Sequence, residues 1–379
     1  MMTHKISLVV PLLCVAMSAA AQPELVDVFI SGKDFPSVRI PSLIVTRGGA
    51  LLAFAEGRAK AADQARNKLI LRRSGDSGRT WSAMQVLFDD GNRSVNNPCA
   101  VLDQKTGRVM IMVQSYPETA SEFSGKLQAG VEGESIVRSY LLNSDDEGKT
   151  WSRPRDVTAQ VKRPEKVTTL SSGPGVGIQL KQGPHAERIL IPFNEGPPGL
   201  WRIYTAYSDD GGGTWKIGET APDAGFKGKK DEWQSSVNET QVVELADGSV
   251  RLNIRQWCPG GDVRKTAVSR DGGQTWSAVE PVPELKVPSC MASIIRYPDP
   301  KRNLLIYSGP LGTKRENGTV FFSQDDGATW KQGATIYAKS FAYSCLATLP
   351  DGSVGVLFER DGYGKVTFVR MSLEQVLAR

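Results

Sequence analysis

One eight-residue pattern, S-x-D-x-G-x-T-W, occurs five times in the chain, starting at Ser74, Ser144, Ser208, Ser269 and Ser323. The serines are 70, 64, 61 and 54 residues apart. A recurrence at such a period marks a repeat architecture, in which each copy is one supersecondary unit. Each copy reads as a hairpin turn. The Asp carboxylate can accept N–H bonds across the turn, and the Gly supplies a positive φ that other residues resist. Thr and Trp then restart a strand, with the Trp large enough to wedge between neighbouring sheets. A calcium loop would need more oxygen ligands at alternate positions. Five near-identical catalytic sites would be redundant. The pattern is therefore structural.

About 60 residues hold four strands and their turns, one blade of a propeller. Residues 1–21 read as an export signal, not as part of the fold. His4 and Lys5 give a positive start, Ile6 to Met17 is apolar, and Ala19-Ala20-Ala21 suits cleavage before Gln22. The apolar run is too short to span a bilayer. The 358 residues that follow make about six units of this length, so five boxes predict an all-β, six-bladed propeller in one domain, with an atypical terminal blade. Short apolar runs such as Leu51-Leu-Ala-Phe and Val354-Gly-Val-Leu-Phe, separated by Asp-Gly turns, fit four-stranded antiparallel blades. Thr119 to Glu134 lacks this alternation and is expected to be a loop at the rim of a site. Ser372 to Leu377 reads as a terminal helix.

Composition excludes several classes. Without Lys5 the formal charge of +5 becomes +4, and no Lys/Arg run is long enough for a nucleic-acid patch. A weakly basic surface suits an anionic substrate. With His4 and His185 alone and no C-x-x-C pair, no zinc site can be assembled, and no cofactor is called for. Cys99, Cys258, Cys290 and Cys345 either form disulfides, with three connectivities open, or stay free and buried.

Charged residues inside strand-like segments carry more information. Arg39 lies in Val-Arg-Ile-Pro, Arg255 in Leu-Asn-Ile-Arg, and Arg315 stands eight residues before the fifth box. A charge in such a setting needs a partner or a ligand. Three arginines from different blades suggest convergence on the axis, where paired planar hydrogen bonds would grip a carboxylate.

These motifs, in this order, resemble the six-bladed exo-α-sialidases of bacteria and animals over essentially the whole chain after residue 21. The resemblance rests on the five boxes, the R-I-P at Arg39, and Glu56-Gly-Arg-Ala-Lys-Ala-Ala-Asp63. It rests also on Asn238-Glu-Thr-Gln241 with Asn253-x-Arg255, and on Ala342-Tyr-Ser344 followed by Phe358-Glu359. It implies that Arg39, Arg255 and Arg315 bind the sialic acid carboxylate, with Glu359 holding Arg39. Arg58 would lie beside the glycerol-to-acetamido side of the ring, next to Asp63. Asp63 would be the general acid/base, and Tyr343 the nucleophile with Glu239 as its base. The chemistry is coherent: sialic acid carries a carboxylate on its anomeric carbon, so a neutral tyrosine approaches where a carboxylate would be repelled. A tyrosine titrating near pH 10 needs an adjacent base, and the arginines are expected to favour its phenolate.

Two positions depart from the family. Val38 replaces an aromatic residue before R-I-P, which reads as a packing change. Cys345 replaces an Asp two positions past Tyr343 and is expected to disturb that tyrosine. Trp201, Trp233 and Trp257 read as packing and stay outside the expected site. The implied function is hydrolysis of terminal α-linked sialic acid from glycoproteins, glycolipids or oligosaccharides, by an exported protein. Transfer to another sugar, formation of an intramolecular anhydro product, and a preference for the deaminated sugar Kdn depend on residues that the sequence does not place. A sugar-binding protein without turnover would need only the arginines.

Overall fold

The fold is a six-bladed β-propeller, described by a computed structural model for residues 23–118, 120–223, 237–257 and 263–378. The export signal expected over residues 1–21, together with Trp233 and Cys258, lies outside the described residues. The first blade runs outward from the axis through Ser37–Val45, Leu51–Arg58, Lys68–Ser74 and Gln85–Phe88. The second and fourth repeat this order from Ser94–Leu102 and from Val237–Glu244. In the third blade the inner strand is broken. Leu170–Ser172 and Ile178–Gln179 pair with Ile189–Glu195, while Gly175–Val176 between them crosses to pair with the second blade.

The last two blades share one strand. Lys331–Thr348 pairs first with Glu316–Ser323 as the outer strand of blade five, then with Val354–Arg360 as the inner strand of blade six. The ring closes when Leu25–Ile30 joins Lys365–Met371 as the outer strand of blade six. Closure removes the exposed edges that an open sheet would leave for aggregation.

This closure explains five boxes in six blades. Each box is the turn between the third and fourth strands of a blade. In blade six the fourth strand comes from the start of the chain, so that turn does not exist. Within the boxes the expected bonds are present: Thr80 N donates to Asp76 Oδ1 at 2.9 Å and Thr80 Oγ1 to Asp76 Oδ2 at 2.6 Å. Those bonds, the Thr80 hydroxyl foremost, hold Asp76 down at about 2. Gly78 has φ +87°, and a Cβ there would fall 2.1 Å from the Phe368 ring of blade six. The box glycine is thus required twice, by its backbone and by its approach to the preceding blade. Trp81 meets Phe368 edge-on at 5.6 Å, and Trp151 meets Phe54 of blade one in the same way. One expectation is corrected: Thr and Trp do not always open a strand. Pairing resumes directly after Trp215 and Trp330 but only at Gln85 after Trp81, where Ser82 first bonds back to Arg73, its N–H donating to Arg73 O and its Oγ accepting from Arg73 N.

Among the described residues the core lies in seven apolar clusters, most of them between neighbouring blades. Val38 sits in one of them at 1% exposure, as a packing change requires. Cys99, Cys290 and Cys345 are free and buried. The terminal helix Leu373–Leu377 starts at Ser372, whose side chain accepts from Gln375 N in a capping box. Among the described residues no helix is long and apolar enough to cross a membrane.

Candidate functional site

The inner strands begin at the rim opposite the boxes, and four of them carry a β-bulge there. In blade one, Ile40 and Pro41 stand against the single residue Ala55; in blade two, Asn97 and Pro98 stand against Val113. In blade four, Asn238 and Glu239 oppose Arg255, and in blade six Ala342 and Tyr343 oppose Glu359. An extra residue re-aims the neighbouring side chains, a device common beside active sites. Here it turns Arg39, Glu239 and Tyr343 toward the axis. Ile40 takes φ 62° and Asn97 φ 55°; for a β-branched residue this region is strained by about 1–3 kcal/mol. Glu359 anchors the strained turn, accepting from Ile40 N at 2.8 Å.

The expected residues converge on one pocket of about 220 Å³, whose lining includes Arg39, Arg58, Asp63, Glu239, Arg255, Arg315 and Tyr343. A larger cavity of about 550 Å³ opens at the opposite rim, lined by the far ends of the same strands, and holds none of these residues. Its wall mixes aliphatic side chains with charged ones such as Lys181, Glu244 and Arg296, while the residues singled out in the sequence line the smaller pocket.

Tyr343 is the centre. Its hydroxyl lies 2.6 and 2.7 Å from the two oxygens of Glu239, and Arg255 Nη1 donates to it at 2.9 Å. Arg39 Cζ and Arg315 Cζ each stand 5.4 Å from the Tyr343 ring centroid. The arginines are held from behind. Glu359, fully buried, grips Arg39 through Nε at 2.7 Å and Nη2 at 3.1 Å. Arg255 pairs with Glu239 at 2.5 Å and stacks over Trp257, 4.8 Å from its centroid. Arg315 donates to Ser289 O and to Tyr363 Oη, at 2.9 and 3.0 Å. It lies one residue ahead of strand Glu316–Ser323, not inside it.

The electrostatics revise one expectation. Burial pushes the Tyr343 hydroxyl well above the ordinary phenol value. Arg255 and Arg315 pull it down, as anticipated, but Glu239 opposes them and burial dominates. The resting side chain is a neutral phenol whose proton already points at a carboxylate.

Asp63 stands apart from this cluster, on residues 59–67. Its side chain is 68% exposed and bonded to Arg58 Nη1 at 2.8 Å. Its carbonyl accepts from Asn67 Nδ2 and Asn96 Nδ2, which pins the loop. Arg58 is held from behind by Glu56, 1% exposed, which also accepts from Asn97 N at 2.7 Å. Glu56 therefore does for Arg58 what Glu359 does for Arg39. The sequence pattern contained Glu56 but did not single it out. Burial pushes its carboxyl up, against the pull of Arg58.

Cys345 does not touch the tyrosine hydroxyl. Its Sγ accepts from Leu43 N at 3.2 Å inside the apolar cluster between blades six and one, and burial pushes the thiol up to about 12. The expected disturbance of Tyr343 is absent because the side chain points into the core.

Trp201 and Trp257 require correction in the other direction: both line the pocket. They meet each other edge-on at 5.1 Å and both meet Phe123. The loop containing Phe123 lies at the rim, where its lack of strand pattern placed it. Glu122, beside it, accepts from Trp201 Nε1 at 2.8 Å. Burial pushes Glu122 up to about 7 despite that bond, and the carboxylates of Glu239 and Asp63 add to the rise. No sequence motif marked Glu122. Nor did one mark Tyr363, whose ring covers Arg39 at 3.8 Å.

The sequence matches the BNR repeat-like domain family over residues 49–356. It is 30% identical to Sialidase-2 of Cricetulus griseus over 372 residues, covering 89% of this chain and 92% of that one. The chain belongs to the sialidase family. A sialidase of Micromonospora viridifaciens is 33% identical over 347 residues, 88% of this chain. This chain spans about half, 51%, of that protein's length. Among solved structures, the Hadza microbial sialidase Hz136 superposes with a TM-score of 0.77 at 27% identity, over 90% of this chain and 66% of that one.

Proposed function

We propose that this protein is a retaining exo-α-sialidase, exported by residues 1–21, that releases terminal α-linked sialic acid from glycoproteins, glycolipids or oligosaccharides. The observation that carries the reading is the Tyr343 hydroxyl 2.6 Å from Glu239 with three arginines around it. Family membership supports it, as does a clamp that leaves donors free to face an anion.

In this reading Arg39, Arg255 and Arg315 bind the substrate carboxylate and so set the anomeric carbon over Tyr343. Glu239 takes the phenol proton as the oxygen attacks, and Arg255 Nη1 stabilises the charge passing through that oxygen. Asp63 gives a proton to the departing sugar oxygen. Its exposure is useful here, since that side must admit the rest of the glycan. The same carboxylate then takes a proton from water, which attacks the anomeric carbon. The tyrosyl bond breaks, and the phenolate recovers its proton from Glu239. Two displacements at one carbon retain the α configuration.

The test is the first-formed product from an aryl α-sialoside, followed by NMR before mutarotation, with Tyr343→Phe and Asp63→Ala alongside. Free α-sialic acid is expected first, with turnover reduced by orders of magnitude in both folded variants. The β-anomer first, or near wild-type turnover of the variants, would refute the mechanism. An anhydro sugar would assign the protein to intramolecular transfer instead.

A further inference from the structure

Arg39, Arg255 and Arg315 differ in what holds them. Arg39 has the carboxylate of Glu359 and Arg255 that of Glu239, whereas Arg315 has no carboxylate partner among the described residues. Its guanidinium is oriented by two neutral acceptors, Ser289 O at 2.9 Å and Tyr363 Oη at 3.0 Å. A cation held this way keeps its charge for an anionic ligand, and its direction depends on each of the two acceptors.

Tyr363 reaches Arg315 from a strained backbone. The turn between Val354–Arg360 and Lys365–Met371 gives Asp361, Gly362 and Tyr363 φ values of 55°, 62° and 70°. Asp and Gly accept this left-handed region, but a bulky aromatic residue there is an outlier that persists only where its surroundings enforce it. They do so here. Ser31 Oγ donates to Tyr363 O at 2.8 Å and Ser31 N to Gly364 O at 2.9 Å, so the residue after the ring-closing strand also pins this turn. The same Ser31 Oγ accepts from Val38 N at 2.9 Å, beside Arg39. So placed, the Tyr363 ring lies 3.8 Å from Arg39 Cζ and packs on the apolar cluster that contains Tyr343. A glycine would suit the backbone better; the tyrosine brings a ring face for one arginine and a hydroxyl for another.

We propose that Tyr363 is a positioning residue of the arginine clamp, its ring seating Arg39 and its hydroxyl aiming Arg315, so that the two guanidinium groups meet a carboxylate at a fixed separation. This rests on the sialic acid reading of the site. Tyr363 stands outside the pocket lining and acts through the arginines. A carboxylate is gripped in the ground state and the transition state alike, so loss of the hydroxyl weakens binding more than it slows the chemical step.

The test measures KM and kcat on an aryl α-sialoside, and the Kd of a 2,3-dehydro sialic acid by titration calorimetry. The proteins are wild type, Tyr363→Phe, Tyr363→Gly, Arg315→Lys and the double variant Tyr363→Phe with Arg315→Lys. Tyr363→Phe keeps the ring over Arg39. It is expected to raise KM and Kd roughly fivefold to twentyfold, the loss of one hydrogen bond from a charged donor, with kcat within about threefold. In the Arg315→Lys background the same change is expected to cost no more than about twofold, because its partner is already altered. Tyr363→Gly relaxes the backbone but removes both contacts, and is expected to raise KM further. Unchanged KM and Kd in Tyr363→Phe, an equal rise in both backgrounds, or wild-type KM in Tyr363→Gly would overturn the proposal. If Tyr363→Phe does not fold, Ser31→Ala decides: it releases the Tyr363 carbonyl, and KM should rise with kcat kept, whereas unmoved KM overturns the proposal. Wild type that binds the dehydro sugar but releases no sialic acid would sink the hydrolase reading alone. Turnover by wild type with KM unmoved by Tyr363→Phe would sink this inference alone.

Discussion

Replacing Glu239 with Gln removes the proton acceptor of Tyr343 while preserving shape and one hydrogen-bond acceptor. A phenol with an ordinary pKa of about 10 is ionised to about one part in a thousand at pH 7. Burial raises Tyr343 above that value, so the phenolate is scarcer still. Without a base, turnover should therefore fall at least ~1,000-fold, equivalent to about 4 kcal/mol of transition-state stabilisation. The variant also leaves Arg255, 5% exposed, without its ion-pair partner. Stability is expected to drop by up to about 3–5 kcal/mol, less whatever the amide oxygen recovers. The assay is kcat/KM against pH on an aryl sialoside whose leaving group needs no protonation, with the folded state checked by circular dichroism. Solvent hydroxide then replaces Glu239, so kcat/KM of the variant should climb about tenfold per pH unit above neutrality while wild type does not. A folded variant within tenfold of wild type would refute Glu239 as the base. A loss that stays constant with pH would refute phenolate as the nucleophile.

Two further outcomes are expected. Arg315→Lys should raise KM roughly tenfold or more, because a point charge cannot keep the contacts to Ser289 O and Tyr363 Oη while gripping a carboxylate; unchanged KM and kcat on sialyllactose would refute its place in the clamp. Lys162 is 1% exposed, and burial pushes it down to about 8 from an ordinary 10.5. A depressed lysine destabilises the fold fully below pH 8, and the penalty fades as pH rises to 10.5, since only the unfolded chain holds the proton in that window. Lys162→Met should accordingly be more stable at pH 7 by about 2–4 kcal/mol in urea unfolding, with little gain at pH 10.5; equal stability at pH 7 would refute the assignment.

Much of this protein was determined locally. The five boxes specified a repeated turn whose bonds and glycine geometry depend on eight consecutive residues, so the blade count and the box at Asp76 were legible. The motifs around Arg39, Asp63, Glu239, Arg255, Tyr343 and Glu359 stood out by their order along the chain, and their side chains come together at or behind one pocket. Everything that depends on facing partners required the folded ring. Five boxes serve six blades because the first strand closes the last blade, a fact of topology. The bulges that aim Glu239 and Tyr343 are properties of strand pairs, invisible along one strand. Cys345 looked close to the chemistry by number, yet its side chain enters the core. Glu122 looked like one polar residue in a loop, yet it meets Trp201, 79 positions away, inside the pocket. Sequence sets what each short segment can form; the tertiary structure alone sets the burial and neighbours that decide charge, orientation and contact with a ligand.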